Sequence, residues 1–288
     1  MKQILTVYFF LFTAYCFAQE EHMYVPKPLE VKASSSEVGL FLGGSFYNGD
    51  LNPSKQLDRF TRPAAGLIYR LNLNPRIALR GSFSYGNIAG DDAYATQESQ
   101  RNRNLSFKSY IYEVAVEGEF NFLPYATGSK KLAIMSPYVF AGVAVFRFDP
   151  MGSYQGRYYD LHALSTEGEG SSFTNVKQYS LTQFALPFGV GMKINTAKRI
   201  GVNLEWGLRK TFTDYLDDVS GNYVNPILLA QAKGPVAAGL SDKSLTQESG
   251  GDVGRQRGNP NTKDWYTFVG IIITLKLNGN ANSCVVPH

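Results

Sequence analysis

The chain has 288 residues, with 28 Lys and Arg against 24 Asp and Glu, two cysteines and an aromatic share of 14%. A net charge of +4 scattered along that length argues against a nucleic-acid-binding surface and against a strongly cationic membrane-surface role. The excess of Tyr, Phe and Gly with modest charge suits an exported β protein, and the length suits one domain or two.

The opening run MKQILTVYFFLFTAYCFAQ reads as a signal peptide over residues 1–18. Lys2 supplies the positive region, residues 4–17 the apolar region, and Cys16-Phe17-Ala18 the small-residue cleavage site before Gln19. The apolar stretch is shorter than the roughly 20 residues a spanning helix needs, and the bulk of Tyr15 argues against lipidation of Cys16. Cleavage leaves Cys284 alone, which excludes an internal disulfide and a cysteine-based metal site. Residues 19–36 are polar, carry Pro26 and Pro28, and predict a flexible periplasmic leader. Beyond Ala18 no stretch is long and apolar enough for a membrane helix.

Eight strands follow. The first, 37–49, sets Val38, Leu40, Leu42 and Phe46 against Gly39, Gly43 and Ser45; the second, 64–72, sets Leu67, Tyr69 and Leu71 against Arg70 and Asn72. In the third, 76–87, Ile77, Leu79, Phe83 and Tyr85 face away from Arg80, Ser82 and Ser84. The fourth, SYIYEVAVEGEFNF at 109–122, alternates strictly: Tyr110, Tyr112, Val114, Val116, Phe120 and Phe122 on one side, Glu113, Glu117, Glu119 and Asn121 on the other. A strand sends neighbouring side chains to opposite faces, so such a segment has one apolar face and one charged face. The fifth, 137–148, is apolar on both faces until Arg147; placing Arg147 inward puts Tyr138, Phe140, Phe146 and Phe148 outward. The sixth, 179–195, sets Phe184, Leu186, Phe188 and Val190 against Gln183, Gly189, Gly191 and Lys193, with Pro187 predicting a bulge or bend. The seventh, 199–211, turns Asn203, Glu205 and Arg209 inward, and the last, 265–277, turns Thr274 and Lys276 inward.

The connections add independent evidence. Tight turns join strands two to three and six to seven, a moderate turn at 123–135 joins four to five, and the other four connections are long. Short turns on one side and long loops on the other mark an up-and-down barrel with both termini in the periplasm. The predicted fold is therefore an all-β, eight-stranded antiparallel transmembrane barrel over 37–277, with a periplasmic tail at 278–288. Its lumen is narrow enough for side chains to fill. The predicted lumen charge network comprises Arg70, Arg80, Glu113, Glu117, Glu119, Arg147, Lys193, Glu205 and Arg209, paired because an unpaired buried charge is costly. A lipocalin-like soluble barrel would invert the pattern, with the apolar face inside.

Five segments are more specific than the alternation: GLFLGGSFYNGDLNP (39–53), RNLSFKS (103–109), YYDLHALSTEGEG (158–170), EWGLRKTFTDYLDDVSGNYV (205–224) and QRGNPNTKDWY (256–266). Together they resemble the PorG-like family of Bacteroidetes outer-membrane barrels, across residues 39–277. The resemblance implies a barrel in the cell outer membrane that associates with periplasmic and outer-membrane components of the type IX secretion and gliding machinery. The tail lacks the terminal aromatic typical of many such barrels.

Asp214, Asp217 and Asp218 invite a calcium reading, since hard cations take carboxylate oxygens. Their spacing does not match an EF-hand, and the alternative is pairing with Arg209 and Lys210 or capping of the loop. Asn225-Pro226 predicts a helix start over 227–232. Of three histidines only His162 could serve catalysis, with Asp160, Ser165 and Glu167 near it in sequence. The expected protein is not an enzyme, holds no cofactor, and contacts lipid and secretion components rather than nucleic acid or a small-molecule substrate. A small barrel acting as adhesin or narrow passive channel is the second reading, and a lipid-modifying enzyme the third.

Overall fold

Period-two alternation closes this sheet on itself. The computed structural model describes residues 35–51, 60–196, 199–246 and 252–277. The strands in chain order are β1 (Ser35–Asn48), β2 (Arg62–Asn72), β3 (Ile77–Asp91), β4 (Ser106–Asn121), β5 (Met135–Tyr154), β6 (Arg157–Asp160), β7 (Thr182–Asn195), β8 (Ile200–Thr211) and β9 (Trp265–Lys276). Each long strand pairs antiparallel with its chain neighbours, β4 pairs with β5, and β9 pairs back to β1, so eight strands close the barrel. Closure leaves no unpaired edge. The short β6 folds back on the far end of β5 and stands outside the closed ring.

β1 begins at Ser35, two residues before the predicted start, and Leu277 N–H donates to the Ser36 carbonyl at the β1–β9 seam. The predicted signal peptide, nearly all of the predicted leader and the predicted tail at 278–288 lie outside the described residues.

The short connections share one end of the barrel. Between β2 and β3 the Asn74 side chain accepts from Arg76 N–H at 2.8 Å and Ile77 N–H at 2.9 Å. Such an Asx turn explains the tightness of Asn74-Pro75. Between β4 and β5, Asn195 holds the longer turn by donating to the Ser129 carbonyl at 2.7 Å and accepting from Gly128 N–H at 2.9 Å.

The outer face carries the exposed apolar residues. Leu67, Val114, Val143 and Phe184 are 59–67% exposed, and Val190 and Ile271 belong to the same face. Aromatics flank them: Tyr85 packs with Tyr110 and Tyr112 at the loop end, and Phe120 meets Phe122 at the turn end. An apolar band bounded by aromatics on the outside of a closed barrel is a lipid-facing surface. Phe46, expected on this face, is instead buried at the loop end of β1.

One strand has the opposite phase to the predicted one. In β5, Tyr138, Phe140, Phe146 and Phe148 are all buried, while Val139, Val143 and Val145 are exposed. Arg147 accordingly faces outward and does not belong to the lumen network. Volume explains this. A narrow lumen must be filled, and four large rings fill it where valines would leave voids. Arg147 pairs in register with Tyr112 and Thr182, level with the belt of tyrosines, where an outward charge reaches polar headgroups.

Pro187 also behaves differently from a bulge. The β5–β7 ladder runs from Ala141↔Phe188 to Ala144↔Ala185 with the intervening pairs missing. Both flanks keep the same register, so the ladder opens without an extra residue. Proline has no N–H to donate there.

Candidate functional site

Two polar assemblies occupy the interior, one between the strands and one above them. The first is a stack of ion pairs. Nearest the turn end, Arg70 lies 2.9 Å from both Glu37 and Glu119, and Lys193 lies 2.6 Å from Glu119. One layer up, Arg80 meets Glu117 at 2.7 Å, Glu119 at 3.2 Å and Glu205 at shorter range. Higher still, Arg209 pairs with Glu113 at 3.2 Å. Tyr138 and Tyr266 donate their hydroxyls to Glu205 and Glu113 at 2.6 and 2.7 Å. All of these side chains are buried.

The structure thus brings together Arg70, Arg80, Glu113, Glu117, Glu119, Lys193, Glu205 and Arg209. Glu37 is an additional member; stepping the β1 alternation back one residue from Val38 would have found it. Thr127, from the β4–β5 turn, donates to Glu37 at 2.7 Å and closes the turn end. Buried charges need partners to be tolerated at all, and rings supply more contacts: Arg80 lies over Phe140, Arg209 over Phe268 and Lys193 over Tyr138, at 4.6–4.8 Å. A space beside Arg80, Ser84, Glu205 and Phe268 measures about 10 Å³, room for about one water.

The second assembly is a roof built by the long loops. Arg103 pairs with Asp92 at 2.7 Å and donates to the carbonyls of Asp50 at 2.9 Å and Arg257 at 2.6 Å. Arg257 in turn pairs with Glu167 at 2.9 Å and donates to the Asp218 carbonyl at 2.6 Å. Asn259 N–H donates to Asp50 at 2.7 Å. The Tyr47 hydroxyl, at the top of β1, lies at hydrogen-bond distance from both Asp217, 2.6 Å, and Asp264, 2.9 Å. Apart from Asp92, these residues come from the five distinctive sequence segments, each of which contributes at least one to the roof. A cavity of about 550 Å³ opens among Asp50, Arg103, Tyr223, Arg257 and Asn259.

The predicted acidic trio is placed in this roof and does not converge on one point. Asp217 serves Tyr47; Asp218 accepts from Thr166 at 2.5 Å and from Tyr179 at 2.6 Å. Neither carboxylate oxygen of Asp214 makes a hydrogen bond of ordinary geometry. Burial pushes the Asp214 carboxyl up to about 7, with Ser220 offsetting part of the shift. Burial, then the nearby Glu169, pushes Asp218 up to about 8. Burial also holds Asp217 and Asp264 well above the carboxylate range. Among the described residues no group of three or more His, Cys, Asp or Glu side chains is arranged to hold a metal.

His162 and its sequence neighbours are likewise spent on structure. Its Nε2 lies 2.9 Å from the Tyr179 carbonyl, an acceptor only, so the ring donates there. Asp160 caps the helix Leu161–Leu164, Ser165 faces Gln178, and Glu167 binds Arg257 and the N–H groups of Ser220 and Gly221. Among the described residues, Asp160, Ser165 and Glu167 around His162 are each bonded elsewhere rather than to its ring.

The helix Pro226–Lys233 forms where predicted. Asn225 caps it by accepting from Ile227 and Leu228 N–H, and Pro226 occupies its first turn. Its Leu229 is buried, and Leu240 of the next helix, Pro235–Ser241, joins the core.

A closed eight-stranded barrel with a lipid-facing exterior and a filled, ion-paired interior defines an outer-membrane β-barrel protein. The chain belongs to the family described as Domain of unknown function (DUF6089), whose profile matches residues 23–226. No curated protein sequence matches it. Among solved structures it is similar to Neisserial surface protein A, at 10% identity over 84% of this chain and 97% of that one, with TM-score 0.40. It is also similar to Ail, the attachment invasion locus protein of Yersinia pestis, at 12% identity over 85% and 99%, TM-score 0.40. The N-terminal β-barrel domain of Pseudomonas aeruginosa OprF matches at 9% identity over 84% and 98%, TM-score 0.36.

Proposed function

We propose that this outer-membrane barrel is a non-enzymatic structural component of the type IX protein secretion and gliding machinery, held by contacts with periplasmic and outer-membrane proteins. The observation that carries the reading is the way the lumen is used up. Ion pairs and rings fill it, and above it Arg103, Arg257 and Tyr47 of the roof are bonded to the roof's own acids. A barrel so occupied acts through its surfaces rather than by passing or converting a solute.

The secretion assignment itself rests on the five segments that resemble PorG-like proteins. Their convergence in the roof supports a common constraint on that end of the molecule. The decisive experiment is crosslinking and affinity capture from the native outer membrane, together with a clean deletion strain. Capture of periplasmic secretion components and loss of cargo secretion on deletion are expected. Intact secretion in the deletion strain removes the reading.

A further inference from the structure

We infer that a groove on the lipid-facing side of the barrel, at its loop end, is a binding site for the anionic headgroup of a phosphorylated membrane lipid. The groove holds about 430 Å³ between the tops of β2, β3 and β4 and the residues Phe60 and Tyr158. Arg62 and Lys108 line it. Among the described residues neither cation has a carboxylate partner, in contrast to the paired cations of the lumen and roof. Lys108 is held in place by the Tyr158 ring, its Nζ 3.3 Å from the ring centroid. A cation so placed keeps its charge available to a ligand while its direction is fixed. The carboxylate on the groove wall, Asp91, is turned to its own chain, accepting from Ala93 N–H at 2.9 Å.

Position identifies the ligand as a lipid rather than a free ion. On the same pair of strands, in register, Ala89↔Lys108 and Asn87↔Tyr110 line the groove, and Tyr85↔Tyr112 and Phe83↔Val114 continue below it. Phe83, Tyr85, Tyr112 and Val114 are 37–59% exposed and belong to the apolar band. The β3–β4 ribbon therefore offers Lys108 at headgroup height with an apolar track beneath it, and Arg62, at the start of β2, lines the same groove. That order matches an amphiphile with phosphate above and acyl chains below. Two basic side chains with hydroxyl-bearing neighbours are the means by which proteins hold phosphate oxygens. The inference rests on the placement of the barrel in the outer membrane and not on the secretion role.

Native mass spectrometry of the detergent-solubilised full chain tests it, with diphosphoryl lipid A as probe and phosphatidylcholine as the zwitterionic control. Wild type is expected to retain lipid A in preference to phosphatidylcholine. The double variant Arg62→Gln/Lys108→Gln should lose at least tenfold of that retention, while Lys131→Gln, at the opposite end, leaves it unchanged. Both altered groove residues lie on the surface, so heat-modifiable migration on gels should show the variant folded. Equal retention by wild type and double variant overturns the site, as does equal retention of the two lipids. Displacement of lipid A by millimolar inorganic phosphate would show an anion site without lipid selectivity and overturn the lipid assignment.

Discussion

Glu119 stands within ion-pair distance of three cations: Lys193 at 2.6 Å, Arg70 at 2.9 Å and Arg80 at 3.2 Å. All four side chains are buried, so each depends on the others for compensation. Replacing Glu119 with the isosteric Gln removes one negative charge from the midst of three positive ones. Breaking a buried pair from one side costs about 3–5 kcal/mol, and Glu119→Gln is expected to lower the unfolding free energy by that amount. Arg147→Gln gives the contrasting case, since Arg147 faces outward and a surface change of this kind stays within about 0.5 kcal/mol. Guanidinium titrations in detergent micelles measure both. A loss near zero for Glu119→Gln, or a large one for Arg147→Gln, would contradict the phases described for β4 and β5.

At the scale of the strand, glycines shape the lumen as much as charges do. Gly189 of β7 and Gly207 of β8 face each other in register and leave the wall bare. Phe140 and Arg209 fill the space. A Cβ on Gly189 would lie 2.2 Å from the Trp206 carbonyl oxygen and 2.7 Å from the Phe140 ring; one on Gly207 would lie 2.3 Å from Arg209 Nη1. The Trp206 contact is to backbone and cannot relax by a rotamer change. Gly189→Ala should therefore destabilise by about 1–3 kcal/mol, the usual cost of overpacking. Gly81→Ala meets nothing within 4 Å and serves as the neutral control in the same titration. How far such features could be read from sequence depends on the strand. In β4 three glutamates occupy one phase, so the inside is marked. In β5 both phases are apolar, and Arg147 lies at the belt, where an outward charge is tolerated and carries no phase information. Ring volume was the better guide, and it acts only once the neighbouring strands define how narrow the lumen is.

The whole molecule has a legible half and a hidden half. Alternating short and long connections follow from loop lengths alone, and they predict which end carries the roof. The roof's internal contacts do not follow, because Glu167 and Arg257 are 90 residues apart and no local period links them. What the roof does with its buried acids sets a testable pH response. Folding raises Asp218 from its ordinary value of 3.8 to about 8 and Asp214 from 3.8 to about 7, burial being the main cause. Between the ordinary and the raised values the folded roof binds more protons than an opened loop does. Linkage then makes the contribution of these two groups to the roof's stability greatest below about 4 and lets it fall as pH rises, with that loss complete near 8. These two groups therefore favour a tighter roof in mild acid, the reverse of the usual carboxylate contribution. Hydrogen exchange of peptides covering residues 212–223, corrected for intrinsic rates, should show more protection at pH 5 than at pH 8.5. The double variant Asp214→Asn/Asp218→Asn, neutral at both positions at every pH, should reduce the difference, leaving the part carried by Asp217 and Asp264, whose carboxyls burial also raises. Protection that instead rises with pH in the wild type would mean that the ionised acids, rather than the protonated ones, hold the loops together.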